Sequence, residues 1–301
     1  MAASAIVLSA CGGGGGNPGG GQGGRIYVVD GGNHRIVRVS NMSGDDWTTF
    51  GALGSGVNQL NDPTDIVFDS LGRMIIADYD NSRIIRVNNM TGAGWVEFGT
   101  SGSGVGEFNN PYKITVDSQD RIYVVDSGNN RVVRMNDMTG AGWVSFGTQG
   151  TGANQFDEPV GIALDSQGRI HVTDWGNDRI VRFNDMNGTS WTTFGSEGTG
   201  VGQYISEVEI VIDSLDRMIV ADRDGRVIQS ASMSTAGWVE FDPNAVQSVD
   251  VDLDGRVFVV DQDVDKLRRF SSMLGGVPVE FGSHGSGVNQ FSSPNSVVLG
   301  P

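Results

Sequence analysis

The stretch GTSGSGVGEFNNPYKITVDSQDRIYVVDSGNNRVVRM, residues 99–135, contains three short apolar segments separated by polar turns. The segments ITV, IYVV and RVVRM are rich in β-branched residues and are apolar at nearly consecutive positions. That pattern is typical of short strands with both faces buried. The intervening DSQD begins with Asp and Ser, which favour tight turns. The stretch therefore predicts short antiparallel strands joined by turns, and not helices.

The same pattern recurs along the chain. The second apolar segment of this stretch, IYVV, is followed directly by an aspartate. Equivalent aspartates follow this segment in all six units: Asp30, Asp78, Asp126, Asp174, Asp222 and Asp261. Each unit also carries a third apolar segment, a fourth that in five units has Trp three residues before Phe, and a segment that usually begins with Pro. Six four-stranded units of 40–50 residues are the sequence signature of a β-propeller.

The phase of the repeat predicts how the ring closes. The first unit begins with its second strand, at Arg25, and the chain ends on an isolated first strand, residues 294–299. This last strand would complete the first blade and remove two open sheet edges. The sequence therefore predicts an all-β, six-bladed propeller over residues 25–301, with four antiparallel strands in each blade.

Residues 99–135 resemble an NHL repeat, and the resemblance extends over residues 25–300. NHL repeats form six-bladed β-propellers, so the resemblance implies the fold that the repeat pattern predicts independently. It implies little about function, because one propeller scaffold can carry many unrelated activities.

The first 24 residues differ from the rest of the chain. Residues 1–11 are small or apolar and end in LSAC, which resembles the lipobox of bacterial lipoproteins with Cys11 as the lipidated residue. No Lys or Arg precedes the apolar run, which departs from a signal peptide. The alternative is an incidental cysteine in a disordered N-terminus. Residues 12–24 are a glycine-rich linker. We expect a lipid-anchored protein outside the bacterial cytoplasm, in the cell envelope.

The net charge of −16 limits the classes of partner. So acidic a surface repels nucleic-acid phosphates and anionic membrane surfaces, which leaves a lipid on Cys11 as the expected membrane attachment. We expect a protein, peptide or glycan partner in the envelope.

The stretch SQGRIHVTDWGNDRIVRF, residues 166–183, looks like a catalytic or metal site until it is compared with the other units. His171 aligns with bulky strand residues, which predicts a packing role. Asp174 and Arg179 recur, which predicts a structural pair whose carboxylate accepts backbone N–H groups of the following turn. Trp175 is variable among the units, and variable loop residues on a repeated frame are candidates for binding.

Two variable rings are predicted to surround one mouth of the central channel. One follows the repeated aspartate and the other lies one or two residues after the first-strand proline. Together they supply the binding-face candidates Tyr79, Trp175, Arg223, Asp65, Tyr112, Lys113, Glu209 and Asn295. The alternative is neutral variation in solvated loops.

The leading functional hypothesis is a non-catalytic binding or scaffold module, with no catalytic residue, metal ligand or cofactor assigned. The first alternative is a propeller enzyme of lyase or lactonase type, with a divalent cation held in the channel by Asp65 and Glu209 and Asn295 nearby. Lys113 in the same ring argues against that cation. The three histidines lie at non-equivalent positions, which makes a zinc triad a poor hypothesis. The second alternative is a structural subunit of a surface assembly.

Overall fold

The computed structural model describes residues 24–243 and 246–301. These residues form six antiparallel sheets of four strands, arranged as the blades of a propeller. The first, innermost strands of blades one to six are Pro294–Gly300, Pro63–Phe68, Pro111–Val116, Pro159–Leu164, Glu207–Ile212 and Ser248–Val251. The second strands are Arg25–Asp30, Met74–Asp78, Ile122–Asp126, Ile170–Asp174, Arg217–Asp222 and Val257–Asp261.

The outer half of each blade is shorter and more exposed. The third strands are Arg35–Val39, Arg83–Val87, Arg131–Met135, Arg179–Phe183, Val227–Ala231 and Lys266–Phe270. The fourth strands are Thr48–Phe50, Val96–Phe98, Val144–Phe146, Thr192–Phe194, Val239–Phe241 and Val279–Phe281. Two-stranded parallel ribbons pair Thr100–Ser101 with Glu107–Phe108 and Thr148–Gln149 with Gln155–Phe156.

Only short helical turns interrupt the strands in the described residues. Single 3-10 turns, each between a second and a third strand, are Gly31–Asn33, Tyr79–Asn81, Ser127–Asn129 and Trp175–Asn177. No helix in residues 24–243 and 246–301 is long and apolar enough to cross a membrane.

The apolar segments are buried on both faces of their strands, as their sequence pattern predicts. All five residues of the second strand Ile170–Asp174 are buried, because this strand is paired on both sides and covered on both faces. The turn before it is held by Asp165, whose Oδ1 accepts the N–H groups of Gln167 and Arg169 at 3.0 and 2.9 Å. Gly168 takes the positive φ of 75° in this turn.

The ring closes as predicted. The last strand, Pro294–Gly300, pairs antiparallel with Arg25–Asp30. The six first strands also contact one another in an unbroken circle around the channel. Residues 1–23, which include the expected lipobox with Cys11 and nearly all of the predicted linker, lie outside the described residues.

The two ends of the propeller have different constructions. Pro159 pairs with Asp174, so the beginning of a first strand lies beside the end of the second. We call this end, with the loops between second and third strands, the loop face. The opposite end, with the tight turns between first and second strands, is the turn face. Arg25 pairs with Gly300, so the described chain both begins and ends at the turn face.

The repeated aspartate is a buried junction between loops. Asp174 is fully buried, and its Oδ2 accepts hydrogen bonds from Arg179 Nε at 2.7 Å and from Asn177 Nδ2 at 2.8 Å. The same Arg179 guanidinium donates to the carbonyls of Thr151 and Gln155 in the loop before the first strand. Burial raises the pKa of Asp174, against these hydrogen bonds. The same trio recurs in blades one to three, so it ties the loop face together in four of the six blades.

One part of the prediction for this aspartate was wrong. Asp174 Oδ1 accepts the N–H of Asp157, which precedes the first strand, and makes no capping bond in the turn that follows. In blades five and six, by contrast, the prediction holds: Asp222 accepts the N–H of Asp224, and Asp261 accepts the N–H groups of Asp263 and Val264. In blade six, Lys266 is at the position equivalent to Arg179, which predicts that it pairs with Asp261; Arg268 pairs with Asp261 instead. Lys266 pairs with Glu280.

Replacing Asp174 by Ala should destabilise the protein by about 2–3 kcal/mol. The change leaves the Asp157 N–H and the Arg179 guanidinium without their buried acceptor, and unsatisfied groups of this kind cost roughly that amount. Urea unfolding at pH 7 measures the effect. Asp137→Ala is the control, because that carboxylate lies in an exposed turn. Equal midpoints for the two variants would contradict the junction role.

His171 occupies a packing position. Its side chain is fully buried, with Nε2 3.1 Å from Ser232 Oγ. The equivalent residues of other blades, Tyr123 and Phe258, are also buried. Burial lowers the pKa of His171 to about 4, against the opposing charge of Asp165. The imidazole is therefore neutral at pH 7.

His171→Phe should change stability by less than about 1.5 kcal/mol at pH 7, because the volume is similar. The pH dependence should change more. The unfolded histidine takes up a proton near pH 6.5 and the folded one near pH 4, so the wild type loses stability as the pH falls between these values. A pKa difference of about 2.5 corresponds to about 3 kcal/mol. Urea unfolding at pH 7 and pH 4 should show this loss in the wild type and a smaller one in the variant; equal losses would contradict it.

Candidate binding site

A pocket of about 370 Å³ lies on the loop face, at the mouth of the central channel. Its size is at the lower end of the range for small-ligand sites. Residues from all six blades line it: Asp62, Thr64, Tyr79, Tyr112, Ser127, Glu158, Val160, Trp175, Arg223, Gln247, Gln262 and Asn295. The pocket is therefore built by the ring as a whole and requires a closed propeller.

One side of the pocket is aromatic. Tyr79 of blade two and Tyr112 of blade three meet edge to face, with ring centroids 5.9 Å apart and an interplanar angle of 86°. Trp175 of blade four follows, and the guanidinium of Arg223 lies over its ring at 6.0 Å. The indole Nε1 of Trp175 is buried without a hydrogen-bond partner among the described residues. Aromatic rings of this kind provide rigid contact area for a ligand.

The other side carries amides that are already held in place. Asn295 Nδ2 donates to the Pro63 carbonyl at 2.9 Å and to Asp62 Oδ1 at 3.2 Å. Gln262 Nε2 donates to Asn295 Oδ1 at 3.2 Å. These bonds fix the amide orientations before any ligand arrives, which reduces the entropy cost of binding.

A hydrogen bond across the channel forms the floor. Gln247 Nε2 of blade six donates to Tyr112 Oη of blade three at 2.9 Å. Thr64 Oγ1 donates to the backbone carbonyl of Tyr112 at 2.7 Å and holds that strand. A ligand that enters from the loop face would therefore meet polar groups at the bottom of the pocket.

Beneath this floor the channel contains a buried ionic cluster. Lys113 Nζ lies 3.3 Å from Asp65 Oδ1 and 3.1 Å from Ser296 Oγ, and it also contacts Glu209 Oε2. Ser248 Oγ donates to Glu209 at 3.2 Å. The three charged side chains are no more than 10% exposed. The Lys113 ammonium thus occupies the space between the two carboxylates.

The cluster has unusual proton affinities. Burial by itself would lower the pKa of Lys113, but the charges of Asp65 and Glu209 outweigh burial and hold that pKa above its usual range. Burial raises the pKa of Glu209 to about 7, against the opposing charge of Lys113 and with a further increase from Asp65. Two buried carboxylates therefore share one ammonium group, and Glu209 is the carboxylate that takes up a proton near pH 7.

A further buried carboxyl lies two residues along the first strand from Ser248. Burial raises the pKa of Asp250 to about 7, although its carboxylate accepts the N–H groups of Leu299 and Val251. The positions equivalent to Asp250 in the other blades are Val67, Thr115, Ala163, Val211 and Val298. Asp250 has no salt-bridge partner among the described residues.

The structure separates the sequence-predicted residues into two layers. Tyr79, Tyr112, Trp175, Arg223 and Asn295 line the pocket. Asp65, Lys113 and Glu209 were expected at the same mouth, but they are buried one layer deeper, on the strands and not on loops. Successive side chains of a strand point to opposite faces, so one residue of difference moves a side chain out of the pocket.

Two acidic pocket residues were missed. Asp62 and Glu158 directly precede the first-strand prolines Pro63 and Pro159. Both have positive φ angles, 50° and 49°, as do Asn110 and Ser293 at equivalent positions. The sequence signal for both residues is a third variable ring, one residue before the first-strand proline, where Asp62, Asn110, Glu158 and Ser293 differ from blade to blade.

The histidines do not assemble into a site. His171 is buried, His34 Nδ1 accepts the N–H of Asp62, and His284 Nδ1 lies 2.6 Å from Asp265 Oδ2 on the surface. In residues 24–243 and 246–301, no three His, Cys, Asp or Glu side chains are grouped as ligands of a metal ion.

Comparisons with known proteins agree with this fold. The NHL repeat model matches residues 108–135 and 156–183. No curated protein matches the sequence. Among solved structures, a chain of the nidogen/laminin complex is similar with a TM-score of 0.72 at 14% identity, over 93% of this chain and 99% of that one.

Two lyase structures are also similar. A streptogramin B lyase matches with a TM-score of 0.63 at 14% identity, over 98% of this chain and 89% of that one. The virginiamycin B lyase from Staphylococcus aureus matches with a TM-score of 0.60 at 17% identity, over 91% and 85%. At these identities the likeness shows the propeller fold alone, and it is compatible with both binding proteins and enzymes.

Proposed function

We propose that this six-bladed propeller of NHL repeats is a binding module that holds a protein, peptide or glycan in the pocket of its loop face. The observation that carries the proposal is the contrast between frame and pocket. The Asp–Arg pair recurs in all six blades, whereas the residue that follows the aspartate differs in every blade and in five of them lines the pocket. A rigid frame with varied, partly aromatic loop residues is the usual construction of a recognition surface.

The enzyme alternative receives less support from the geometry. A divalent cation between Asp65 and Glu209 would have to displace the Lys113 ammonium, which already neutralises them. Because the fold is similar to that of lyases, an enzyme is the second candidate. The test below distinguishes a binding module from an enzyme by whether the bound probe is recovered intact or chemically altered.

The test compares binding of peptide and glycan arrays by three forms of residues 24–301. Tyr79→Ala/Trp175→Ala removes two pocket aromatics, and Leu71→Ala/Leu253→Ala removes two exposed side chains on the turn face as the matched control. Probes bound by the wild type and the control should be bound at least about tenfold more weakly by the pocket variant, as expected for buried aromatic contacts. The bound probe should be recovered intact by mass spectrometry.

Two results would oppose the proposal. Equal binding of every probe by the pocket variant and the wild type would remove the pocket from recognition. Recovery of a cleaved or rearranged probe would favour the enzyme. A melting curve for each variant shows whether the fold is retained, and we expect the pocket variant to melt within a few degrees of the wild type because both side chains are partly exposed.

We further propose that a lipid on Cys11 holds the protein at the bacterial envelope. The position of Arg25 is compatible with such an anchor, because Arg25 lies at the turn face, at the opposite end of the propeller from the pocket. A tether attached there would leave the loop face directed away from the membrane. Cys11→Ser should move the protein from the membrane fraction to the soluble fraction, with loss of the lipid mass. An unchanged distribution, or a wild type without lipid, would contradict the anchor.

A further inference from the structure

We propose that the pocket recognises an organic cation, the ammonium or guanidinium group of a basic side chain, seated against Tyr79 and Tyr112 between the carboxylates of Asp62 and Glu158. This inference rests on the proposed function, since it names the chemistry of the group that the same pocket receives.

The first observation that supports this proposal is the placement of the Asp62 and Glu158 carboxylates. Asp62 belongs to blade two and Glu158 to blade four, so they flank Tyr112 of blade three from both sides. Asp62 is half-buried and Glu158 is exposed. Among the described residues, the Asn295 amide is the one hydrogen-bond donor to the Asp62 side chain, at 3.2 Å. A partly buried carboxylate with a single neutral donor gains from a cation placed against it.

The tyrosines carry the second step. The faces of aromatic rings carry negative charge, and they attract ammonium and guanidinium groups within about 6 Å. Tyr79 and Tyr112 are fixed at 86° to each other, which gives two sides of an aromatic corner. The Tyr112 hydroxyl is held by Gln247, so this ring does not need to move when a ligand arrives.

The local charge carries the third step. Burial raises the pKa of Tyr79, and the carboxylates of Asp80, Asp62 and Glu158 raise it further. The charges around Tyr79 are therefore negative. At Tyr112 the ammonium of Lys113 acts in the opposite direction, against Glu209 and Asp62. The whole chain carries a net charge of −16, which would attract basic partners over a longer range. An anionic ligand would have to overcome both contributions.

Arg223 does not cancel this arrangement. Arg223 is the cationic side chain among the pocket-lining residues. It belongs to blade five and lies over Trp175 of blade four, whereas Tyr79 belongs to blade two. Its guanidinium shows on this chain how a cation is accepted by an aromatic residue of the pocket. The tyrosine corner of blades two and three has the same chemistry, and no Lys or Arg among the described residues lies over either ring.

The experiment measures binding by isothermal titration to residues 24–301. The probes are three peptides that differ at one central residue, Gly-Ser-X-Ser-Gly with X as Arg, citrulline or Glu, and tetramethylammonium as a free cation. Citrulline has the shape of Arg without its charge. We expect the Arg peptide to bind at least about tenfold more tightly than the citrulline peptide and the Glu peptide not to bind. Raising the salt concentration should weaken the binding.

Variants locate the effect. Asp62→Asn and Glu158→Gln should each weaken binding of the Arg peptide by about fivefold to tenfold. Asp137→Asn, which removes an exposed turn carboxylate outside the pocket, is the matched control and should leave the binding unchanged. Binding of tetramethylammonium with the same dependence on Asp62 would indicate a free organic amine as a source besides a basic peptide.

The outcomes distinguish this inference from the proposed function. Equal affinity for Arg and citrulline, preference for Glu, or no binding of any cation would overturn the cation site. If array probes of another class still depended on Tyr79 and Trp175, the binding module would stand without it. If no probe depended on the two aromatics, the proposed function itself would fail.

Discussion

Removal of residues 292–301 should abolish the single cooperative unfolding transition of the propeller. These residues contain the first strand of blade one, which pairs with Arg25–Asp30 along its whole length. Val297 packs in a core cluster with residues of blade six, and Val298 packs with residues of blade two. The deleted strand thus connects three blades, and burial of each valine alone contributes about 1.5 kcal/mol or more.

The deletion also removes hydrogen bonds outside the pairing of this strand with Arg25–Asp30. Ser292 N–H donates to Asp30 Oδ1 at 2.7 Å, and Ser296 belongs to the Lys113 cluster. Blades one, two and six should therefore unfold at lower urea concentration than the remaining three, and the transition should broaden. Deletion of Pro301 alone is the control. Addition of a peptide of residues 292–301 should partly restore cooperativity, whereas identical transitions for the deletion and the wild type would contradict the closed ring.

Lys113→Met should destabilise the protein by about 3–5 kcal/mol at pH 8. The change leaves Asp65 and Glu209 as buried carboxylates without their cation, and removal of one partner from a buried ion pair costs about that much. Met is unbranched and of similar length, so the loss would chiefly reflect charge and not volume.

The pH dependence identifies the cause. Glu209 has a folded pKa of about 7, above its value of 4.5 in model peptides, so its contribution favours the folded state at low pH and is lost as the pH rises through 7. Without Lys113 this pKa should rise further. The variant should therefore regain part of its stability at pH 5, where Glu209 takes up a proton.

A second substitution distinguishes the loss of charge compensation in the cluster from a general packing defect. In Lys113→Met/Glu209→Gln one of the uncompensated charges is removed, so stability at pH 8 should partly return. A loss below about 1 kcal/mol for Lys113→Met, or a loss that is equal at pH 5 and pH 8, would show that the buried cluster does not stabilise the channel.

The fold could be predicted because every blade repeats the same local information. The apolar runs, the Asp-Ser turns and the final strand at residues 294–299 fix strand number, order and closure without any distant contact. The role of His171 followed in the same way, because five other blades show what its position contains.

The depth of the channel residues could not be predicted in this way. Tyr112 and Lys113 are adjacent in sequence, but one lines the pocket and the other is buried beneath it. The partners of Lys113 lie 48, 96 and 183 residues away, on blades two, five and one. A comparison of equivalent positions shows that they vary, but it does not show which side chains meet across the ring.

The repeated aspartate shows the same limit on a smaller scale. Its recurrence indicated a structural role, and that is confirmed by its pair with Arg179. Its backbone partner was assigned to the wrong loop, because Asp157 is 17 residues upstream and approaches only when the first strand pairs with the second. The chemistry of Asp174 was readable from sequence, whereas the identity of the donor depended on the sheet register.

Photo-crosslinking from the loop face tests most directly whether the pocket is where this protein meets its partner. A photoreactive phenylalanine at position 127 replaces a pocket-lining serine where other blades carry Tyr79 and Trp175, so a bulky ring should be accommodated. The same residue at Gln119, which is exposed in a turn of the turn face, is the control. With envelope extract, position 127 should give a discrete crosslinked product that Trp175→Ala removes, and position 119 should give none. Equal products from both positions, or a product at position 127 that is insensitive to Trp175→Ala, would contradict the account.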